Sequence, residues 1–317
     1  MLTADLLRLI STPKEYISQI LHFDARYAAV IEPLAAEYML CGNVPAGIFY
    51  PNDTVASDAY YRTKDFIAKV SALSPLEEEQ HMLCYLFWLH CVPYLRRFYS
   101  LTGIDESVFC NSMADLAYKA RECIQVKGHL GVFTDWFLSF FDMKLFGLGR
   151  LEYVMARFPY DSFTAAGYTL YRGDPVCHCH IPSSGPLTMD LIRDSLRKAY
   201  AFFKPYLKDN TILPVVTRTW LLYPPYRGPV FPVGSNTEQF ANLFATVEAT
   251  VTDTFDDCWR VFSIPYPEDI ADLPTETSMQ RRFVDYIRAG RKFGKAYGVL
   301  LYNGETDTII TRSDTAF

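Results

Sequence analysis

The sequence predicts a mixed α/β (α+β) protein in two parts, a helical N-terminal domain over residues 1–146 and a layered α/β domain over residues 147–317. Three observations predict it. At 317 residues the chain is about twice the usual domain length, which favours two ordinary domains over one large one. Up to about Leu145 the punctuation and periodicity are helical, with no comparable period-two segment. Beyond that point short strand-like runs alternate with longer helical ones, the pattern of sheet and helix layers packed together.

The elements follow in order. The first ten residues, MLTADLLRLI, hold Asp5 and Arg8 and lead to no small-residue cleavage site, so they read as a first helix rather than a signal peptide. Thr12, Pro13 and Glu15 form a capping box with proline at the first helical position, and Ser74, Pro75 and Glu77 repeat it. The apolar stretch Met82 to Leu95 contains His90 and Pro93 and is shorter than the roughly 20 residues a membrane span needs, so it predicts a core helix. Between Asp105 and Val126, Phe109, Met113, Leu116, Ala117, Ala120 and Ile124 step by threes and fours, marking one buried helix face. Asp135 to Phe146 predicts one more helix, ended by Gly147 and Gly149. In the second part, strands are expected at 151–158, 168–171, 176–181, 215–222, 259–264 and 297–302. The second and third flank a turn at Gly173 and Asp174. Helices are expected from Thr188, with Ile192, Leu196, Ala199 and Phe203 buried, from Asn236 to Val247, and from Ser278 to Ala289. The proline-rich stretch Pro224 to Pro232 predicts an extended loop on the surface.

Composition narrows the function. Half the residues are hydrophobic and 21% charged, with 22 Tyr, 23 Phe and 4 Trp, as in a packed globular protein. A net charge of minus 6 offers no broad cationic field, so neither nucleic acid nor a membrane surface is an expected partner. Eight scattered cysteines in a chain too large to need disulfides point to a reducing, cytoplasmic setting. Nucleophile-elbow, dinucleotide, phosphate-loop and EF-hand signatures are missing, which argues against hydrolase, dehydrogenase, ATPase and calcium-sensor readings.

The most informative stretch is VCHCHIPSSGPLTMDLIRDSL, where a strand passes through a Ser and Gly turn into a helix. Helix N-terminal NH groups are unpaired and the macrodipole is positive there, so a phosphate at Ser183, Ser184 and Gly185 would complete their bonds. An ordinary capped turn reads the same way. Within the strand, Cys177, His178, Cys179 and His180 suggest zinc, but alternation sends neighbours to opposite faces, so at most two converge and no metal is expected.

Four segments, LGRLEY at 148–153, HIPSSGPL at 180–187, TWLLYP at 219–224 and GSNTEQF at 234–240, resemble those of a bacterial acyltransferase family that joins a helical N-terminal domain to a GNAT-like C-terminal domain. The resemblance implies that acetyl-CoA or another acyl-CoA enters between two splayed parallel strands, Val176 to Ile181 and Val215 to Tyr223. Its pyrophosphate would rest on the loop and helix start formed by Ile181, Ser183, Ser184, Gly185, Leu187 and Thr188, and Asn236 would bond the pantetheine arm. The usual Arg/Gln-x-x-Gly-x-Gly/Ala loop is absent at that junction. A formal match, RKFGKA at 291–296, follows a helix and precedes a strand, so it presents no helix N-terminus to a phosphate.

Acyl transfer to an amine needs a base, a carbonyl polariser and an acid for the leaving thiolate. His180 and His178, on one strand face, are the base candidates, and Glu152 is a second. Tyr223 is the acid candidate, and the backbone NH of Ile181 the polariser. The acceptor is expected to be a small-molecule or peptide amine. Two other readings stand beside this one: a non-catalytic acyl-CoA-binding or regulatory module of the same fold, and a metal-dependent enzyme built on His178 and His180.

Overall fold

The computed structural model describes residues 2–41, 47–50, 53–133 and 136–311. By packing, the chain falls into two compact units. Unit 1 is Met1–Met155 with Ile181–Ser184, and unit 2 is Ala156–His180 with Gly185–Phe317.

Among its described residues, the regular structure of unit 1 is helical except for one hairpin. Helices α1 (Ala4–Leu9), α2 (Lys14–Cys41), α3 (Asp53–Ser71), α4 (Glu77–Leu101), α5 (Glu106–Lys127) and α6 (Leu138–Phe141) precede strands β1 (Leu145–Leu148) and β2 (Leu151–Arg157). As its continuous apolar run predicts, α4 is the core helix, buried without interruption from Met82 to Val92. Trp88 at its centre stacks on Phe141 and meets Tyr38 edge-on. The α5 start and stop follow their signals: Asp105 caps the Ser107 amide, and Gly128, at φ 80°, closes the helix in the left-handed conformation.

Two expectations in this half are corrected. Ser74 does not cap α4, which starts at Glu77 behind Leu76; instead its hydroxyl accepts from the Leu76 amide and donates to Glu79. Of the helix predicted over 135–146, whose first residue lies outside the described residues, the single turn of α6 forms, because Met143 takes a left-handed φ of 55° and redirects the chain into β1. Gly147 and Gly149 therefore serve a hairpin rather than a helix end. Leu148 pairs with Leu151 across Gly149 and Arg150, and Gly149 supplies the positive φ of 81° that so tight a connection requires.

Unit 2 holds β3 (Ser162–Ala165), β4 (Tyr168–Tyr171), β5 (Pro175–His180), α7 (Met189–Phe203), β6 (Ile212–Thr219), α8 (Asn236–Ala241), β7 (Ala245–Thr252), α9 (Cys258–Phe262), α10 (Ser278–Arg288), β8 (Phe293–Asn303) and β9 (Thr308–Ile309). Its sheet is mixed, in the order β5-β6-β8-β7 with β9 on β8; β5 and β6 are parallel and the other pairs antiparallel. Val176, Val216, Val299 and Leu301 form the centre of the core on one face of this sheet. The predicted stripe of α7 is buried in full. Thr277 and Gln280 close a complete capping box at the start of α10.

Four expectations change here. β4 pairs with β3 through Ala166 and Gly167, both at positive φ, and not with β5 through Gly173. The strand expected to reach Leu222 ends at Thr219, where the hydroxyl accepts from the Leu221 amide and starts a 3-10 turn. The helix expected over 236–247 stops at Ala241, and residues from Ala245 form β7 against β8. The strand expected over 259–264 is the short helix α9. RKFGKA runs from the end of α10 into β8, away from any helix start, as its sequence context implies.

Candidate active site

The site is built first by β5 and β6. Alternation along PVCHCH places His178 and His180 on one half-buried face, their rings stacked with centroids 4.7 Å apart. Cys177 and Cys179 occupy the opposite, fully buried face, so the four side chains do not converge. Burial pushes the Cys179 thiol up to about 12 and holds that of Cys177 well above its ordinary value, so neither is a thiolate at neutral pH. The same cause acts in the other direction on His178, whose imidazole is held below its ordinary value and is neutral at pH 7.

The two parallel strands share register only at Cys177 with Val215 and His178 with Val216. β5 continues to His180, while β6 continues to Thr219 in register with β8. The β5–β6 ladder thus stops at His178 and Val216, short of the strand ends at His180 and Thr219.

The chain passes from His180 into the loop 181–188. Gly185 sits at φ 129° with open space where a side chain would be, so conformation rather than crowding selects glycine. Leu187 is half-buried, and Thr188 is the extended N-cap of α7 without a side-chain cap bond. By helix geometry the amides of the first α7 turn lack intrahelical acceptors, although the carboxylate of Asp190 stands in the same turn and competes with an anion for them. Asn236 opens α8, where Ser235 accepts from the Glu238 amide as the cap.

Residues 181–184 belong to unit 1, and there they meet a buried charged cluster. The Arg150 guanidinium donates to the Pro182 carbonyl at 2.9 Å, and the Ser183 hydroxyl donates a very short bond to the Glu122 carboxylate. Lys119 donates to both oxygens of Glu122 at 3.1 Å. Asp115 and Glu152 complete the cluster, both almost wholly removed from solvent. Asp115 lies within interacting range of Trp136 and Glu152, yet neither of its oxygens, nor Oε2 of Glu152, closes a bond of normal geometry. Burial raises Glu152 well above the carboxylate range, and neighbouring Asp115 adds to it against the pull of Lys119 and Arg150. Burial likewise lifts Asp115 to about 6. Glu152, expected as a base candidate, is therefore a buried carboxyl that holds its proton more tightly than an ordinary carboxylate does.

Tyr223 follows the 3-10 turn that ends β6. It is buried against Tyr226, with ring centroids 5.0 Å apart, and its ring lies where a Cβ on Gly294 would fall. Sequence reasoning missed Asp115, Lys119, Glu122 and Arg150. The first three, with Ser112, step by three, four and three along α5, which is a helical stripe; polar stripes usually face water, and only burial distinguishes this one.

A family model described as the N-acyltransferase N-terminal domain matches residues 1–143, and one described as the GNAT-like C-terminal domain matches residues 145–300. A search of curated proteins returned no match. Solved structures share the fold. An acyltransferase mutant in complex with octanoyl-CoA is 20% identical with a TM-score of 0.62, and the match covers 93% of this chain and 86% of that one. An acyltransferase in complex with decanoyl-CoA is 23% identical with a TM-score of 0.61, at the same coverage. An acyltransferase in complex with CoA and 10C-Teicoplanin is 19% identical with a TM-score of 0.59, over 93% of this chain and 98% of that one. The two family models adjoin in order and together span nearly the whole chain, so the protein belongs to the acyltransferase family that joins an N-acyltransferase N-terminal domain to a GNAT-like C-terminal domain.

Proposed function

We propose that the protein is an acyl-CoA-dependent N-acyltransferase that passes an acetyl or longer acyl group to an amine on a small molecule. The observation that carries this reading is the parallel β5–β6 ladder, which closes at two register pairs and then opens beside two stacked histidines and ahead of an uncapped helix start. An acyl-CoA entering that opening lays its thioester along β5, with the Ile181 amide polarising the carbonyl, and its pyrophosphate over Ser184, Gly185, Leu187 and Thr188. Ser183 contributes its amide alone, since its hydroxyl is committed to Glu122. Asn236 bonds the pantetheine arm. His180 and His178 take the ammonium proton, the amine attacks the thioester carbonyl, and the C–S bond breaks as the thiolate leaves. Tyr223 remains the acid candidate for that thiolate, which requires its packing against Tyr226 to open. The similar structures hold octanoyl-CoA, decanoyl-CoA and a teicoplanin, which supports medium-length acyl chains and a small-molecule acceptor. The bacterial origin rests on the sequence resemblance. A cytoplasmic setting is supported by eight free cysteines, and among the described residues no helix is long and apolar enough to cross a membrane.

The test follows thiol release from acetyl-, octanoyl- and decanoyl-CoA over a panel of amines, alongside thermal melting with each acyl-CoA. Release that requires both the acyl-CoA and an amine is the expected result; neither release nor a melting shift with any acyl-CoA overturns the reading. The second reading, a non-catalytic acyl-CoA-binding module, is favoured by the Glu122 carboxylate standing against the loop at Ser183. A melting shift without release selects it.

A further inference from the structure

Helices α4 and α5 carry a second group of ligating side chains that acyl transfer does not use. His81 lies one turn into α4, Cys123 lies near the end of α5, and His129 follows the Gly128 that closes α5. One ligand atom from each lies within 4.8 Å of the other two. His81 Nδ1 and His129 Nε2 are 2.9 Å apart, and their rings stack at 5.2 Å.

The backbone fixes this arrangement. The Val132 amide donates to the His81 carbonyl at 3.0 Å, and Gly131 lies so close that a Cβ there would fall 2.6 Å from the His81 carbonyl carbon. The turn carrying His129 is thereby held on α4 at His81. On its far side, His81 Nε2 faces the Glu77 carboxylate at 3.8 Å, and Lys127 holds Glu77 at 2.9 Å. A carboxylate behind an imidazole is the outer partner typical of metal-bound histidines: it favours the proton on Nε2 and leaves the Nδ1 lone pair directed at the cluster.

We propose that His81, Cys123 and His129 bind a borderline-soft divalent cation, zinc above all, with water in the fourth position. Two imidazoles and one thiolate are ligands that zinc prefers, and three protein ligands leave one position open. Tetrahedral bonds of about 2.0–2.3 Å set ligand atoms about 3.3–3.7 Å apart, so the imidazole nitrogens separate by about 0.4 Å and the sulfur, within 4.8 Å of both, closes to that range by a rotation of its side chain. As the S–Zn bond forms, the Cys123 thiol gives its proton to solvent, and the site carries one net positive charge opposite Glu77.

The experiment strips the full-length protein with a chelator and titrates it with Co²⁺, then Zn²⁺. One equivalent of Co²⁺ with thiolate charge-transfer absorption in the near ultraviolet, displaced by Zn²⁺, is expected. Cys123→Ser should abolish that absorption, and His129→Ala, in a partly exposed turn, should weaken binding by at least about tenfold. The His178→Ala, His180→Ala double variant should bind as the wild type does, which separates this site from the β5 histidines. Circular dichroism verifies that each variant is folded, and a Zn²⁺-dependent rise in the wild-type melting temperature is an independent readout. Lack of saturable uptake by the wild type, or uptake that survives both Cys123→Ser and His129→Ala, overturns the proposal.

Discussion

A base that strips an ammonium at neutral pH has to be neutral itself, and burial of His178 supplies that condition. Replacing His178 and His180 together by alanine should lower kcat by about 10²–10⁴-fold while leaving acyl-CoA binding nearly unchanged. Because the His178 imidazole takes up its proton only below its ordinary value, the acid limb of kcat/KM should fall below about pH 6.5. A full rate in the double variant, or an acid limb above pH 7, removes the histidines from the mechanism. Glu152 gives a prediction of the opposite sign. Its native value lies above its unfolded one, so its contribution to stability is complete below about pH 4.5 and drains away as pH rises through the native value. Asp115, lifted to about 6, acts in the same direction. Glu152→Gln keeps the shape without the titration, so urea melts at pH 5 and pH 8 should differ less in the variant than in the wild type; an equal difference denies the buried titration. The histidine pair was legible because strand alternation places residues two apart on one face whatever the fold does. The α5 carboxylates were not, because a buried polar stripe and a solvated one have the same spacing, and Arg150 carries no local signal at all.

At the scale of elements, legibility followed how far each signal was local. Caps, apolar stripes and the continuous apolar run of α4 depend on neighbours in sequence, and α4, α5, α7 and α10 stand close to where those signals put them. β7 shows the converse: ATVEATVT alternates in strand fashion, but its mostly exposed pattern lacks a buried face, and only pairing with β8 makes it a strand. β1 was hidden by its glycine. Gly147 reads as punctuation, whereas in the fold it lies mid-strand where α5 crosses, its amide donating to the Ser112 hydroxyl at 2.8 Å. A Cβ at that position would fall 2.8 Å from the backbone of Asn111 and Ser112, and a helix backbone cannot yield as a flexible side chain does. Gly147→Ala should therefore cost about 1–3 kcal/mol of stability by denaturant melting, more than any gain from lost chain entropy. A variant as stable as the wild type would mean that β1 and α5 are not so closely apposed.

For the whole molecule, the change in sequence character at 146/147 and the limit of the packed unit are different boundaries. Helices give way to strands near residue 145, where the two family models also meet. Unit 1 nevertheless runs on to Met155 and takes back Ile181–Ser184. The bonds that hold those later segments come from α5: Ser112 to Gly147, Asn111 to Gly149, and Glu122 to Ser183, with Lys119 opposite the Glu122 and Glu152 carboxylates. None of this can be read from composition, since the contacts join positions that lie 35 to 61 residues apart in the chain. A fragment of residues 147–317 would keep every β5, β6 and β8 pairing and lose all the α5 partners. Its Glu152 would then have neither Lys119 nor a water-free pocket, and a carboxylate uncovered in this way returns to water. Amide hydrogen exchange should accordingly be fast at 147–150 and 181–184 in the fragment and slow in the full chain, while protection across β6 and β8 stays similar in both. Equal protection of the 181–184 loop in the two proteins would show that α5 does not hold it, and the site loop would then belong to the sheet alone.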